Sequence, residues 1–348
     1  MQGRLTMNEG TPGDKPAAAG PRFDSVRPEL GSDSGWDGAD LAVLLTLEAH
    51  EDGGLVSRHV DTNTRGAVFG GQLIGQAISA AGRGLPASLC CHSVQLQFLA
   101  PGQPGLPMRY EVRRLLTGMS FMVLQVLAVQ GERTVISAHV SFQRREAGPH
   151  FQPPMPEGCA PPEDLPSLHE VMQGMGERVP EAYRQRLGRS RTVDLRPLDA
   201  EAFLFQREPQ GRMAYWVRAR EALPADPRLH HAVLGYLSDY WFPTAALAPL
   251  VDNKLDTGLY VASLNHALWL HQPVQADDWL LVSAQSQASG NARGLTTGSV
   301  HQRSGTLVAT MAQEGLYRGW RADGDGFVPP GGTWPMSALA RGARPKAG

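Results

Sequence analysis

Hydrophobic and polar positions change period several times along the chain, and each change marks a predicted element. In LAVLLTLEAHEDG, residues 41–53, Leu41, Leu44, Leu45 and Leu47 fall at helical spacing before Gly53, which predicts a short amphipathic helix. A strand is expected over 55–59. In RGAVFGGQLIGQAISAAGRG, Leu73, Ile74, Ala77, Ile78 and Ala81 keep helical spacing, while Gly66, Gly70, Gly71 and Gly75 keep the start of the segment slim. Such a helix is built to be surrounded. From 88 to 143 the period shortens to two. CHSVQLQFLAP, MRYEVRRLLTG, FMVLQVLAVQG and TVISAHVSFQ, separated by Gly- or Pro-centred turns, predict antiparallel strands and, with the helix, an α+β unit.

The stretch AGPHFQPPMPEGCAPPEDLP is proline-rich and should be extended. A polar helical stretch over 167–186 continues it. Strand-like segments resume with TVDLRPL and MAYWVRAR. Then comes LHHAVLGYLSDYWFPTAALAPL, residues 229–250, expected to open as a helix because Asp226 offers an N-cap and Pro227 a first helical position. VASLNHALWLHQP, DWLLVSAQSQAS, GLTTGSVHQRSG and TLVATMAQEGLYR close the series as strands. The expected organisation is a disordered lead-in (1–36), a first unit (37–145), a proline-rich linker with a connecting helix (146–190), a second unit (191–320) and a flexible tail (321–348).

This second series repeats the first. At a constant offset of 172 positions, Leu96, Pro101, Gly118 and Thr134 match Leu268, Pro273, Gly290 and Thr306, and the strand breaks coincide. The helices align at an offset of 160, where LIG (73–75) matches VLG (233–235). Two equivalent units imply a pseudo-twofold pair, expected to share one extended sheet. The repeat also tests polar residues. Asp239 matches Ser79, Ser263 matches Cys91 and Gln313 matches Ser141, so an acid, a hydroxyl and an amide acting together would arm the second half alone.

The balance of 32 basic and 34 acidic residues gives no electrostatic footprint for nucleic acid. The apolar runs are too short to span a membrane. The chain start lacks the apolar centre of a signal peptide and the last residues match no address signal, so a reducing cytoplasm is the expected compartment. Cys90, Cys91 and Cys159 fit neither a disulfide framework nor a metal site.

Three features carry candidate chemistry. Asp239 sits among apolar and aromatic residues with no cation within a turn, so it is either an acid at the solvent edge of a buried helix or one tuned by a cleft. Gly70-Gly71 is either a tight turn before close packing or a helix N-terminus whose free N–H groups face a ligand. His266 and His271 flank Trp269, but strand alternation sends them to opposite faces, and His230-His231 is expected to be a surface or packing pair; neither pair is read as a metal site.

The segments VFGGQLIGQAISAA, CHSVQLQFLAPG, VDLRPL, GYLSDYWF, SLNHALWLHQP and ARGLTTGSVHQRSGTLVATMAQEG, in this order, resemble the acyl-CoA thioesterase II family of double-hotdog enzymes. The resemblance implies two hotdog units, each a long helix wrapped by an antiparallel sheet, and hydrolysis of fatty acyl-CoA to a free acid and CoA. The family's catalytic set would fall on Asp239, Ser263 and Gln313. Two departures are Ser263, where many members have Thr, and Ala100, where many have Arg. No Gly-x-Ser-x-Gly elbow occurs, so a water activated at Asp239 and fixed by Ser263 and Gln313 is expected, with the backbone N–H of Gly71 receiving the oxyanion. No metal or organic cofactor is implied. A homo-oligomer, dimer or tetramer, is expected from exposed sheet edges. The competing readings are a hotdog enoyl-CoA hydratase or dehydratase and a non-catalytic acyl-CoA-binding hotdog module.

Overall fold

In the computed structural model, residues 38–319 are described except 52, 190 and 257, together with the side chains of 187–189. The expected lead-in and the expected tail lie outside this range. The first half runs α1 (Leu41–Leu45), β1 (Leu47–Ala49), β2 (Leu55–Ser57), α2 (Gly70–Gly82), β3 (Leu89–Phe98), β4 (Met108–Thr117), β5 (Phe121–Gln130) and β6 (Arg133–Arg144). The connection carries α3 (Leu168–Gly174) and α4 (Glu181–Arg189). The second half runs β7 (Val193–Pro197), α5 (Ala200–Leu204), β8 (Arg212–Ala219), α6 (Pro227–Ser238), β9 (Tyr260–Leu270), β10 (Leu280–Gly290), β11 (Arg293–Gln302) and β12 (Leu307–Arg318).

All the strands join one sheet in the order β1-β2-β4-β5-β6-β3-β9-β12-β11-β10-β8-β7. Read from the centre outward, each strand of one half has its counterpart in the other. The seam is β3 against β9, antiparallel, with Gln95 opposite Ala267. These two residues are repeat equivalents, so the pseudo-twofold axis passes between them.

The long helices α2 and α6 cross at the same axis, and their apolar residues fill the core beneath the sheet. Close approach is possible because Gly75 and its repeat equivalent Gly235 meet there. A Cβ on Gly235 would stand 2.7 Å from the Ile78 side chain and 3.4 Å from the Gly75 Cα; one on Gly75 would stand 2.7 Å from the Ala232 carbonyl oxygen.

Two expectations, for 41–53 and for 167–186, need correction, and the end of a third helix finds its cause. The helix over 41–53 stops at Leu45, where Thr46 turns extended and Leu47 pairs with Ser57, so one helical-looking leucine belongs to a strand. The helix opened by Asp226, whose carboxylate accepts from the Arg228 N–H at 2.9 Å, ends at Ser238. Pro243 explains the stop, because a helix continued through it would lose an N–H and drive the ring into the carbonyl of Asp239. Trp241 takes a left-handed φ of 65° and a short 3-10 helix follows over Phe242–Leu247. The polar stretch over 167–186 is two helices rather than one. A Ser167–Glu170 capping box starts α3, and Pro180 separates α4 from it. Among the described residues, no helix is long and apolar enough to cross a membrane.

Candidate active site

Asp239 is the C-cap of α6, which carries it to the end of the buried helix at the wall of a cavity of about 520 Å³. Phe69, Leu73, Phe98, Tyr240 and Trp241 line the same cavity, and Arg65, Arg133, Arg186 and Lys254 line it as well, so the chamber is mixed, with aromatic and cationic walls. Gly70, at the start of α2, comes so close that a Cβ there would lie 2.6 Å from Asp239 Oδ2.

The strands supply the partners. Gln313 on β12 pairs directly with His266 on β9, so their side chains share a face. Ser263 is three residues from His266 and by alternation would point the other way. A bulge on β9, where Asn265 pairs with Glu314 but Ser263 with Gly315, inserts one residue and turns the hydroxyl inward. Gln313 Nε2 then donates to Asp239 Oδ1 at 2.6 Å and to Ser263 Oγ at 2.7 Å, and Ser263 Oγ donates to Asp239 Oδ1 at 3.4 Å. The three residues named from the sequence are thus brought together.

Burial pushes the Asp239 carboxyl up to about 6. The hydrogen bond from Gln313, the N–H of Gly71, the Ser263 hydroxyl and the field of Arg186 pull in the opposite direction without cancelling it. His266 is also buried, and loss of hydration holds its imidazole down at about 4, hence neutral.

Two of the residues named from the sequence stand back from the cavity. The Gly71 N–H, expected to face an oxyanion, is directed at the Asp239 carboxylate, and Gly71 does not line the cavity. Gln313, expected to help fix a water, likewise does not line the cavity, and its amide donates to Asp239 and Ser263.

Two contributors escaped the sequence. His266, not read as a metal ligand, contacts Gln313 directly. Arg186 reaches the cavity wall from α4, in the stretch read as linker, and grips Asp61 through both guanidinium nitrogens at 3.2 and 3.3 Å. Only the Asn-His dipeptide after Ser263 signalled the first, and nothing in the polar pattern of α4 signalled the second.

At the matching place in the first half, Ser79 and Cys91 line a second cavity of about 390 Å³ with His231. Burial pushes the Cys91 thiol up to about 12 and His231 down to about 4. No acid stands at the position equivalent to Asp239. The pair His230-His231 is buried, not superficial, and His230 Nδ1 accepts the Ala276 N–H at 3.1 Å. Ala100, the second departure, lines the active-site cavity and donates its N–H to Val135.

Two helices back to back under one pseudo-symmetric sheet define a double hotdog. A protein of Alicyclobacillus acidocaldarius described as having a hot dog fold superposes with a TM-score of 0.65 over 81% of this chain and 98% of its own, at 19% identity. The chain belongs to the acyl-CoA thioesterase family: the model of the family's N-terminal domain matches residues 58–143 and that of its C-terminal domain residues 156–317. Mouse acyl-coenzyme A thioesterase 8 is 34% identical over 79% of this chain and 88% of its own length. Acyl-CoA thioesterase 2 of Haemophilus influenzae is 32% identical over 80% and 97%. The crystal structure of acyl-CoA thioesterase II TesB2 from Mycobacterium marinum matches at 30% identity and a TM-score of 0.65, covering 82% of this chain and all of the other.

Proposed function

We propose that this protein hydrolyses acyl-CoA thioesters to the free acid and CoA, with Asp239 as general base. The observation that carries the reading is the Asp239 carboxylate, buried yet open to the cavity, with Oδ1 held by Gln313 and Ser263 and Oδ2 beside Gly70. An acid tuned to about 6 is ionised at neutral pH and basic enough to take a proton from water. Water loses a proton to Asp239 as its oxygen adds to the thioester carbonyl. Collapse of the tetrahedral intermediate expels the CoA sulfur, which takes the proton back from Asp239. The first turn of α2, which meets the cavity at Gly70, supplies the partial positive charge for the oxyanion. Ser263 orients the carboxylate, and Gln313 holds both.

The test is thiol release from purified protein with acyl-CoAs of graded length. Asp239→Asn should lower kcat by about 10²–10⁴-fold, the range for loss of a general base. Turnover at the wild-type rate in that variant overturns the assignment. A hydratase would instead consume an enoyl-CoA without releasing thiol, and a binding module would do neither.

Self-association is also part of this reading, on different grounds from those in the sequence. The outer strands β1 and β7 are short, and β7 ends in a proline. Leu115, Leu116, Met119 and Phe121, in and around the β4–β5 turn, instead form an exposed apolar cluster suited to a second copy. Leu116→Asp should then lower the molar mass measured by light scattering. The reducing compartment rests on Cys90, Cys91 and Cys159, all free thiols.

A further inference from the structure

Behind Gln313 the hydrogen bonds continue inward to two side chains that do not reach the cavity. His266 Nδ1 lies 3.0 Å from Gln313 Oε1, and His266 Nε2 lies 2.9 Å from Ser238 Oγ. Ser238 Oγ is also 2.8 Å from the Gly235 carbonyl oxygen. Ser238, His266 and Gln313 are each 1% exposed, so bulk solvent does not reach them.

We propose that Ser238 and His266 are positioning residues, a one-way hydrogen-bond relay that locks the Gln313 amide with its NH2 toward Asp239 and Ser263. The inference rests on the reading of Asp239 as the base. Counting protons gives the direction. Gln313 Oε1 can only accept, so Nδ1 of His266 must carry the hydrogen. The ring is neutral, so Nε2 presents a lone pair, and Ser238 directs its one proton there in preference to the Gly235 carbonyl.

With the opposite tautomer, the Nδ1 lone pair would face Oε1. The amide would turn over to relieve that contact and bring its oxygen against the Asp239 carboxylate, where Nε2 now stands at 2.6 Å. The imidazole tautomer and the amide orientation are therefore one coupled choice. Ser238, the last residue of the helix that presents Asp239, biases it.

The signature of this role is the acid limb of activity, because the Gln313 NH2 lowers the Asp239 carboxyl. Other ionisable groups facing that carboxyl are Arg186 on α4, Tyr215 on β8 and Tyr317 on β12; all three are shifted upward and keep one charge state through neutral pH. His266 itself stays neutral above its depressed range. In the full-length protein, Ser238→Ala and His266→Leu should lower kcat about tenfold, the loss of one or two oriented hydrogen bonds, with KM within about twofold. Their acid limbs should move to higher pH. His266→Asn, whose side-chain N–H can replace Nδ1–H, should restore the wild-type limb.

A fall in kcat with the limb unmoved in Ser238→Ala overturns the proposal, since mere loss of packing would act in that way. ¹⁵N-histidine NMR of the wild-type protein, assigned with His266→Asn, gives a second reading that does not depend on either truncated variant folding. It should show His266 neutral with its proton on Nδ1; a proton on Nε2 overturns the relay. Asp239→Asn assayed alongside separates the two ideas, because retained turnover there removes the base while leaving the tautomer result to stand or fall by itself.

Discussion

Asp239 links stability and activity in opposite directions. Raising its carboxyl from 3.8 to about 6 disfavours the ionised form in the folded state by about 3 kcal/mol, as an order of magnitude. Between these two pH values the folded protein retains a proton that the unfolded chain releases. Stability therefore falls as pH rises through that window and stays lower above it. Asp239→Asn, which keeps the acceptor and drops the charge, should raise Tm at pH 7.5 while lowering turnover; a Tm equal to that of the wild type across pH 4–8 would contradict the linkage. Activity runs the other way, since the base works only when ionised. kcat should decline as pH drops through about 6, and a limb near 4 would mean that the carboxyl is not held in its buried setting. The same residue shows how far the site was legible. Its apolar company and its unmatched position in the repeat marked it, but its pKa, raised by burial, is held back by Gln313 and Ser263, 74 and 24 positions away, whose approach no local pattern specifies.

At the scale of elements, the start of α2 governs access to the base. Gly70 lines the cavity, and any side chain there would intrude on Asp239 Oδ2, whereas Gly71 is walled by the Tyr236 carbonyl oxygen, 2.4 Å from where a Cβ would sit. Gly70→Ala should therefore cut kcat/KM by about tenfold or more through displacement of the carboxylate, at a stability cost of about 1–3 kcal/mol for overpacking. Gly71→Ala should unfold the protein at lower denaturant, because backbone must move. Helix and strand periods were readable along most of the chain. The β9 bulge was not. Plain alternation separates Ser263 from His266, and only the paired strand shows that Leu264 is the extra residue, with the same irregularity between Cys91 and Ser93 on β3. The early end of α6 had a written cause in Pro243, whereas β1 was hidden because Leu47 satisfies a helical period as well as a strand.

Over the whole molecule, the connection between the halves is part of the site. Arg186 ties α4 to Asp61, which also accepts from the Tyr236 hydroxyl at 2.7 Å, and its guanidinium lies 5.1 Å from the Phe69 ring. Arg186→Ala leaves a buried carboxylate without its cation and should cost about 3–5 kcal/mol. Loss of the same field should move the acid limb upward, since Arg186 helps keep Asp239 ionised. A destabilised protein with the wild-type limb would show that the cation serves the fold alone.

The β3–β9 seam has a further consequence. Gln95 and Ala267 meet across an antiparallel ladder, and α2 and α6 interlock through Gly75 and Gly235, so both the sheet and the helix layer run from one half into the other. The covalent link adds little to that adhesion. A polypeptide nicked by protease in the exposed run around 146–150 should migrate as two bands under denaturing conditions, yet elute as one particle and keep hydrolysing its substrate.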